Sequence, residues 1–457
     1  MAEHTISLVK SLKKLLDDKK YQTLKDILTT MNGADIAAVF EEMDEERTPL
    51  LFRLLPKELA AETFAELSPE LQEHLIRGFS DKELREVVSE LYVDDAADLV
   101  EEMPASVVKR ILAQADPQMR REINEILRYP ENSAGSIMTK EYVSLRPNMT
   151  IAEALQRIRR TGVDKETIYT CYVTKERRLI GTVSVKDMLL APDENTPVSE
   201  IMDENVISVN TLTDQEEVAQ MLSKYNFLAL PVVDTDGRMV GIVTFDDAID
   251  VLVEETTEDI EKMAGMLPSE KTYLRSTPWD LFKHRIPWLL LLMVSATFTG
   301  MIITRFESAL AAQVVLTAFI PMLMDTGGNS GSQASVTVIR ALSLGELELR
   351  DLPKVVWKEV QTAVLCGVAL ATLCFAKIMV FDRMILGNTD ITVMTAFVVC
   401  LTMAVTVLVA KVVGCTLPLF AKKLGFDPAV MASPFITTIV DALSLLVYFG
   451  IASALLF

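Results

Sequence analysis

Hydrophobic and polar positions follow two different patterns along this chain, and the change comes near residue 285. Before that point, apolar residues recur at helical or strand spacing between many charged ones. After it come apolar runs long enough to cross a bilayer, for which roughly 20 residues are sufficient. We therefore expect a soluble N-terminal part followed by a membrane-spanning part.

Residues 1–130 predict helices throughout. Similar short units recur, among them LLPKELAAETFAEL, FSDKELREVVSEL and MPASVVKRILAQA. Each opens on a helix start signal and continues for roughly three turns. Such units cannot bury their apolar faces alone, so we predict an all-α, acidic, superhelical N-terminal domain. The acids of VDDAAD, Asp94, Asp95 and Asp98, are by themselves typical of an N-cap and a solvated first turn.

Residues 131–253 contain one module twice, in copies at about 137–191 and 201–253. Each copy predicts a helix, a strand, a Gly-containing turn, a second strand and a helix. The copies match at three pairs of positions: Gly181 and Gly241, Asp187 and Asp247, and Met138 and Met202. These xGxVxxxD endings resemble a tandem pair of CBS domains. That resemblance implies one α/β unit of a kind that often dimerises and binds adenine nucleotides such as ATP; a purely structural pair is an equal alternative.

A long acidic connecting helix is predicted over residues 245–270. Its spacing places Asp247, Asp250, Glu254 and Glu258 near one face. Like charges one turn apart destabilise an isolated helix by ~0.2–0.5 kcal/mol per pair. A divalent cation bound there would remove that cost, whereas a solvated linker helix is the plain alternative.

Residues 271–457 predict an α-helical membrane domain with five crossings. The apolar runs are at about 286–304, 311–341, 355–380, 391–420 and 428–456. Lysine and arginine cluster before the first run and in the loops after the second and the fourth. By the positive-inside rule, the N-terminal domains lie in the cytoplasm and the C-terminus outside.

The last run carries an acid, Asp441, near its middle. An ionised carboxylate at the centre of a lipid-facing helix costs at least ~2.5–3.5 kcal/mol, so such residues usually mark an ion path. Helical spacing puts it on a polar face whose members are Pro434, Thr437, Asp441, Ser444 and Tyr448. A protonated Asp441 hydrogen-bonded to a neighbouring helix is the alternative.

The second run contains PMLMDTGGNSGSQAS. We expect its proline and glycines to break or bend the helix at membrane depth, which is tolerated only beside protein or water. Its oxygen-bearing side chains add to the indication of a cation path. Close helix packing at the glycines is the alternative. The residues concerned are Pro321, Asp325, Gly327, Gly328, Asn329, Ser330, Gly331, Ser332 and Gln333.

Composition limits the classes of ligand that we expect this chain to bind. The 457 residues carry a net charge of −20, and most of it lies in the soluble half. This acidity argues against nucleic acid as a partner and suits cations, although plain solubility also explains it.

The five cysteines form no CxxC pair and the three histidines are scattered, so a zinc site or disulfide framework is not expected. A hard cation such as Mg²⁺ or Ca²⁺ fits better. Hydrolase motifs are absent from the sequence, so we do not expect an enzyme.

The domain order, with TGGNSGSQ and DPAVMASPFITTIVD, resembles the MgtE family of bacterial magnesium channels. The resemblance implies a multi-pass homodimer in the inner (cytoplasmic) membrane, in contact with lipid, that imports Mg²⁺ through a pore at the dimer axis. It also implies closure by cytosolic Mg²⁺. The pore residues that it implies are Gly328, Asn329, Thr437, Thr438 and Asp441. The sensor acids that it implies are Glu62, Asp94, Asp98, Asp214, Glu216, Asp247, Asp250, Glu255, Glu258 and Asp259.

Two positions depart from the family pattern. Asn226 stands where we expect an acid, so we expect one sensor site, or the nucleotide site nearby, to be weakened. Asp325 stands where we expect a small residue, so no family role is carried onto it. Two other functions stay open at this point: a divalent-cation carrier coupled to H⁺ or Na⁺, and a membrane-anchored nucleotide sensor.

Overall fold

The computed structural model describes residues 2–269, 273, 276–388 and 390–456. The chain divides into two compact units, residues 1–252 and 253–457. The division falls inside one helix, so each unit is described by itself.

The first unit begins with short helices joined by tight turns, as the repeated units predict. Their apolar faces share one core that includes Leu12, Phe40, Phe64 and Leu75. Start signals act as expected: Ser80 accepts from the Glu83 amide, and Glu83 accepts in return from the Ser80 amide. The helices are α1 Ala2–Asp17, α2 Tyr21–Leu28, α3 Gly33–Glu41, α4 Thr48–Phe52, α5 Lys57–Ala65, α6 Pro69–Gly78, α7 Asp81–Val88, α8 Val93–Glu102, α9 Ala105–Gln114 and α10 Met119–Ile126.

The tandem module forms two three-stranded sheets of the same topology. In each, the first strand pairs parallel with the second, and the second pairs antiparallel with the third. The first copy contains β1 Ser144–Leu145, α11 Ile151–Thr161, β2 Thr170–Lys175, β3 Arg178–Ser184 and α12 Val185–Leu190. The second contains α13 Val198–Ile201, β4 Val209–Asn210, α14 Gln215–Tyr225, β5 Ala229–Val233 and β6 Met239–Thr244, followed by α15 Phe245–Met263. This α/β pair confirms the predicted class.

The hairpin turns differ between the copies. The turn before β6 has Gly237 at φ +75, as predicted. The prediction of a glycine in the first turn is wrong, because Glu176 and Arg177 take the left-handed conformation there, at φ 53 and 68. A two-residue hairpin turn needs that conformation whichever residues occupy it.

The matched methionine of each copy packs on the matched glycine of the other copy. Met138, in the leading segment of the first copy, packs on Gly241 of β6, where a β-carbon would lie 2.8 Å from its sulfur. Met202 packs on Gly181 of β3 in the same way, at 2.7 Å. Each copy's leading segment therefore covers the other copy's sheet, and only glycine leaves room for it.

The second unit is a helical bundle. Its helices are α16 Pro278–Arg305, α17 Glu307–Ala312, α18 Ile320–Ser343, α19 Leu352–Lys377, α20 Val393–Lys423 and α21 Ser433–Leu456. Short 3₁₀ segments span Val314–Phe319, Leu349–Asp351 and Pro428–Met431, and a π-helical stretch at Ile378–Ile385 continues α19. α20 is central and packs against α18, α19 and α21.

Four of the described helical segments are long and apolar enough to cross a membrane: Pro278–Arg305, Leu349–Ile385, Val393–Lys423 and Pro428–Leu456. The predicted second crossing contains α18, which has 24 residues and therefore a length of about 36 Å. Its many polar residues keep it out of that apolar class. Five crossings therefore stay a prediction.

The expected break in the second crossing is wrong, because α18 runs as one helix through its glycines. Pro321 stands in the first turn, where a proline removes no helical hydrogen bond. The glycines serve close packing instead. A β-carbon at Gly414 of α20 would lie 2.2 Å from the carbonyl oxygen of Gly331, so the two backbones touch.

Candidate functional site

The Asp441 carboxylate lies half-buried on α21, beside Gly328 of α18. A β-carbon at Gly328 would stand 3.7 Å from its Oδ1 and 3.1 Å from Cγ2 of Thr437. The missing side chain at Gly328 therefore lets α18 approach the acid. This contact brings together three of the predicted pore residues.

α18 presents a polar, exposed face at helical spacing. Asn329 Nδ2 donates to Asp325 Oδ1 at 3.0 Å, one turn earlier on the helix. Asp325 is also close enough to Asp441 for their charges to interact. The exposed residues of this face, called here the α18 polar face, are Pro321, Asp325, Asn329, Gln333, Val336, Thr337 and Arg340.

The predicted polar stripe on α21 divides into two parts. Beyond Asp441 it is internal packing: buried Ser444 donates to the Val440 carbonyl at 2.6 Å, and buried Tyr448 donates to the Leu316 carbonyl at 3.0 Å. Before Asp441 the hydroxyls of Thr437 and Thr438 both donate to the Pro434 carbonyl, at 2.9 and 3.0 Å. Those two hydroxyl oxygens keep lone pairs that a cation could use.

A second group of acids lies in the first unit, where α8 and α15 meet the first module copy. We call it the acid group: Asp94, Asp95, Asp98, Glu166 and Asp247. The charges of Asp95, Glu166 and Asp247 act on Asp94, and those of Asp95 and Asp247 act on Asp98. Three predicted sensor acids, Asp94, Asp98 and Asp247, are therefore neighbours in the structure.

Burial and crowding disfavour ionisation in the acid group. Burial raises the pKa of Asp94 well above its usual range, and the charge of Asp247 raises it further. The pKa of Asp95 rises to about 6 and that of Glu166 to about 8, again through burial first and then through Asp247. Thr244 donates to Asp247 and opposes part of its upward pKa shift.

Two oxygens in the acid group fit a hard cation. Asp94 is 8 % exposed, and its Oδ1 has no hydrogen-bond partner. Glu166 Oε2 is buried without a partner as well. Within the described residues, no three Asp, Glu, His or Cys side chains form a ready metal site. A divalent ion would therefore have to draw these carboxylates closer, with water completing its shell.

The other predicted sensor acids of the first unit are dispersed. Glu62 is exposed on α5, where its backbone packs on Gly33 of α3. Asp214 caps α14 by accepting from the Glu216 amide at 2.9 Å. Asp250 is exposed on α15. Partial desolvation of its carboxylate, together with the charge of Asp246, raises its pKa.

Within the second unit, the last turns of α15 dock on the membrane helices, and half-buried Glu255 precedes this contact. Asp259 accepts from the Ser343 hydroxyl of α18 at 3.1 Å. Lys262 binds Asp427 at 2.6 Å, just before α21, and also pairs with Glu258. The end of the acidic helix therefore contacts α18 and the segment that leads into α21, and these two helices form the Asp441 site.

The sequence analysis did not identify two features of the structure. Glu166 belongs to the acid group, yet no local pattern distinguishes it from a surface acid. Lys411 of α20 pairs with Glu359 of α19 at 3.6 Å, and both side chains are largely buried in the bundle. A lysine and a glutamate in neighbouring apolar runs were the available signal for that pair.

Family comparison agrees with this architecture. Residues 320–451 match the MgtE model, described as a divalent cation transporter. Residues 31–132 match the MgtE intracellular N domain, and residues 134–194 and 198–254 match CBS domains.

Relatives of known identity extend over almost the whole chain. The magnesium transporter MgtE of Thermus thermophilus is 38% identical, with 98% of each chain covered. That of Bacillus subtilis is 32% identical over 96% of this chain and 95% of its own. A crystal structure of the cytosolic domain of the Mg²⁺ channel MgtE in complex with ATP is 41% identical, with a TM-score of 0.51, and covers 53% of this chain and 99% of its own. The chain therefore belongs to the MgtE family of magnesium transporters.

Proposed function

We propose that this protein is a Mg²⁺-selective channel of the cytoplasmic membrane. It imports Mg²⁺ through a pore at the axis of a homodimer and closes when cytosolic Mg²⁺ binds its acids. Relatives that cover nearly the whole chain are named magnesium transporters, and the solved cytosolic domain with 41% identity is named as part of a Mg²⁺ channel.

The observation that carries the proposal is the close approach of Gly328 on α18 to Asp441, where a β-carbon would stand 3.7 Å from the carboxylate. A carboxylate among membrane helices is costly unless water, protein or a cation meets it. Mg²⁺ keeps several of its waters and binds through one or two carboxylates, which suits a single acid beside small residues and threonine oxygens. The site would attract a partly hydrated Mg²⁺ without holding it tightly.

The α18 polar face supports the homodimer. An exposed row that contains Asp325, Asn329 and Gln333 cannot face lipid without a large cost. A second copy related by a twofold axis would cover this face and double the ligands around one path. Each protomer would then supply one Asp441.

The acid group supports closure by cytosolic Mg²⁺. Without a cation, the carboxylates of Asp94, Asp98 and Asp247 repel each other. A divalent ion between them removes the repulsion and uses the unpartnered Asp94 oxygen. Since the ion binds the compact arrangement better than the separated one, it shifts the population towards the compact form.

The docked end of α15 supplies a route from the sensor to the pore. Its contacts reach Ser343 on α18 and Asp427 before α21. Gly265, at φ +70, lies against Pro434 in the first turn of α21, where a β-carbon would stand 2.9 Å from the proline ring. A shift of α15 would therefore move the helix that carries Asp441.

The loop charges support an orientation with the N-terminal domains in the cytoplasm and the C-terminus outside. Lys283, His284 and Arg285 lie near the start of α16, and Lys422 and Lys423 end α20. By this orientation α18 runs from the outer surface inwards.

ATP is a second ligand that we propose for the CBS pair. The support is the related cytosolic domain, which was solved in complex with ATP. Titration of the full-length protein with ATP tests it, and heat of binding that vanishes in a chain without residues 131–253 is the expected result.

Reconstituted protein tests channel against carrier. In patches of proteoliposomes with a Mg²⁺ gradient, we expect single-channel currents in the native protein and none after Asp441→Asn. Ser444→Ala is the matched control, because it removes a polar group one turn away that serves only packing. Uptake without unitary currents would favour a coupled carrier, and native uptake by Asp441→Asn would reject the pore site.

A further inference from the structure

We infer that Asp325 is a specificity-determining residue for cation entry: its carboxylate faces the ion path and gathers divalent cations ahead of Asp441. This inference rests on the proposed function. It concerns a residue onto which the sequence analysis carries no family role.

The placement of Asp325 follows from the helix on which it lies. It stands in the second turn of α18, on the α18 polar face and one turn before Asn329. It is exposed in a helix that packs on α20 and α21 inside the membrane unit. A carboxylate that faces lipid is costly, so the proposed path supplies Asp325 with water or a cation.

A hydrogen bond fixes the direction of the side chain. Asn329 Nδ2 donates to Asp325 Oδ1 at 3.0 Å, which keeps the carboxylate above Asn329 along the same face. An ionised carboxylate accepts hydrogen bonds at about four lone-pair sites, and one amide occupies only one of them. The remaining sites can accept from the water shell of a hydrated divalent ion.

The position of Asp325 relative to Asp441 gives the order of events. Gly328, one turn below Asp325 on α18, faces Asp441: a β-carbon there would stand 3.7 Å from Asp441 Oδ1. The two acids also interact through their charges. An ion that enters from the N-terminal end of α18 therefore meets Asp325 first and Asp441 next, and the two charges together favour a divalent ion over a monovalent one.

The test measures Mg²⁺ uptake against external Mg²⁺ for native protein, Asp325→Asn, Asp325→Glu and Asp441→Asn in proteoliposomes. Asp325→Asn keeps an acceptor for Asn329 and removes only the charge. We expect its half-saturating Mg²⁺ to rise roughly tenfold, equivalent to about 1.4 kcal/mol, with the maximal rate within about twofold of native. Asp325→Glu should restore the native value.

The outcomes separate this inference from the proposed function. A native half-saturating concentration in Asp325→Asn, together with loss of uptake in Asp441→Asn, overturns the inference and leaves the pore standing. Native uptake by Asp441→Asn overturns both. A loss of maximal rate in both Asp325→Asn and Asp325→Glu, with half-saturation unchanged, would mean a structural role and would also overturn the inference.

Discussion

The two units treat their carboxylates in different ways. In the first, Asp94, Asp98 and Asp247 crowd together beside Glu166, and burial and mutual repulsion raise the pKa values of Asp94, Glu166 and Asp247. In the second, Glu258 and Asp427 pair with Lys262, Glu359 pairs with Lys411, and Asp441 lies near Asp325. By the proposals above, the crowded acids of the first unit suit a switch, whereas Asp325 and Asp441 let an ion pass from one to the next.

Within the membrane unit, Glu359 contrasts with Asp441. Glu359 is buried against the ammonium of Lys411, so its charge has a permanent partner. Asp441 lies beside Gly328 and within the field of another acid, Asp325. By the proposed function, Glu359 is structural, whereas Asp441 is left for a mobile cation.

The largest expected effect tests that contrast. Lys411→Met leaves Glu359 buried without its partner, and breaking a buried pair in this way costs about 3–5 kcal/mol. We expect a marked fall in the denaturation midpoint of the full-length protein in detergent. The double variant Lys411→Met with Glu359→Gln should recover most of the loss, and a stable Lys411→Met single variant would contradict the structural role.

The second-largest expected effect tests whether Asp94, Asp98 and Asp247 form the proposed Mg²⁺ sensor. Replacing Asp94, Asp98 and Asp247 together by Asn removes the anionic oxygens that we propose as Mg²⁺ ligands. We expect the internal Mg²⁺ needed for half-closure to rise about thirtyfold, which corresponds to about 2 kcal/mol. Conductance of the open pore should stay native, since Asp441 is untouched.

A matched charge control completes that test. Glu45, Glu46 and Glu90 are exposed acids of the same unit, and their replacement by Gln removes the same total charge. This control should close at native Mg²⁺ concentrations. Equal weakening in both triple variants would show that net charge, not the acid group, sets the response.

The smallest effect is a pH dependence. Folding raises the pKa of Glu166 from 4.5 to about 8 and that of Asp95 from 3.8 to about 6. Without Mg²⁺, these groups therefore stabilise the fold at acid pH, and that contribution is lost as pH rises from about 4 through about 8. By the proposed function, protons and Mg²⁺ would compete for the same oxygens.

The competition is measurable in closure experiments. Between pH 6 and pH 8, the internal Mg²⁺ needed for half-closure should fall about tenfold as these carboxylates ionise. Glu166→Gln should flatten the dependence. An equally steep response in that variant would exclude Glu166 from the switch.

The sequence predicts the elements of this molecule well where local patterns decide them. The helical units, the repeated module and the apolar runs all follow from spacing, and the polar face of α21 was visible around Asp441. The packing of Met138 on Gly241 and of Met202 on Gly181 explains why both copies carry the same methionine and the same glycine, although pattern alone did not reveal the contact.

The features that the sequence did not predict depend on contacts between segments that are distant in the chain. A glycine-rich stretch is ambiguous between a broken helix and a tightly packed one, and only the approach of Gly414 to Gly331 decides for packing. Glu166 becomes a member of the acid group because tertiary structure brings it to Asp94 and Asp247. No spacing rule connects residues so far apart in the chain.

The most direct test of the central claim is a current recording with fixed external Mg²⁺ while internal Mg²⁺ is raised in steps. The account predicts that the native protein carries Mg²⁺ current until internal Mg²⁺ closes it, and that Asp441→Asn carries none at any internal concentration. Native currents from Asp441→Asn would show that Mg²⁺ does not pass beside this carboxylate.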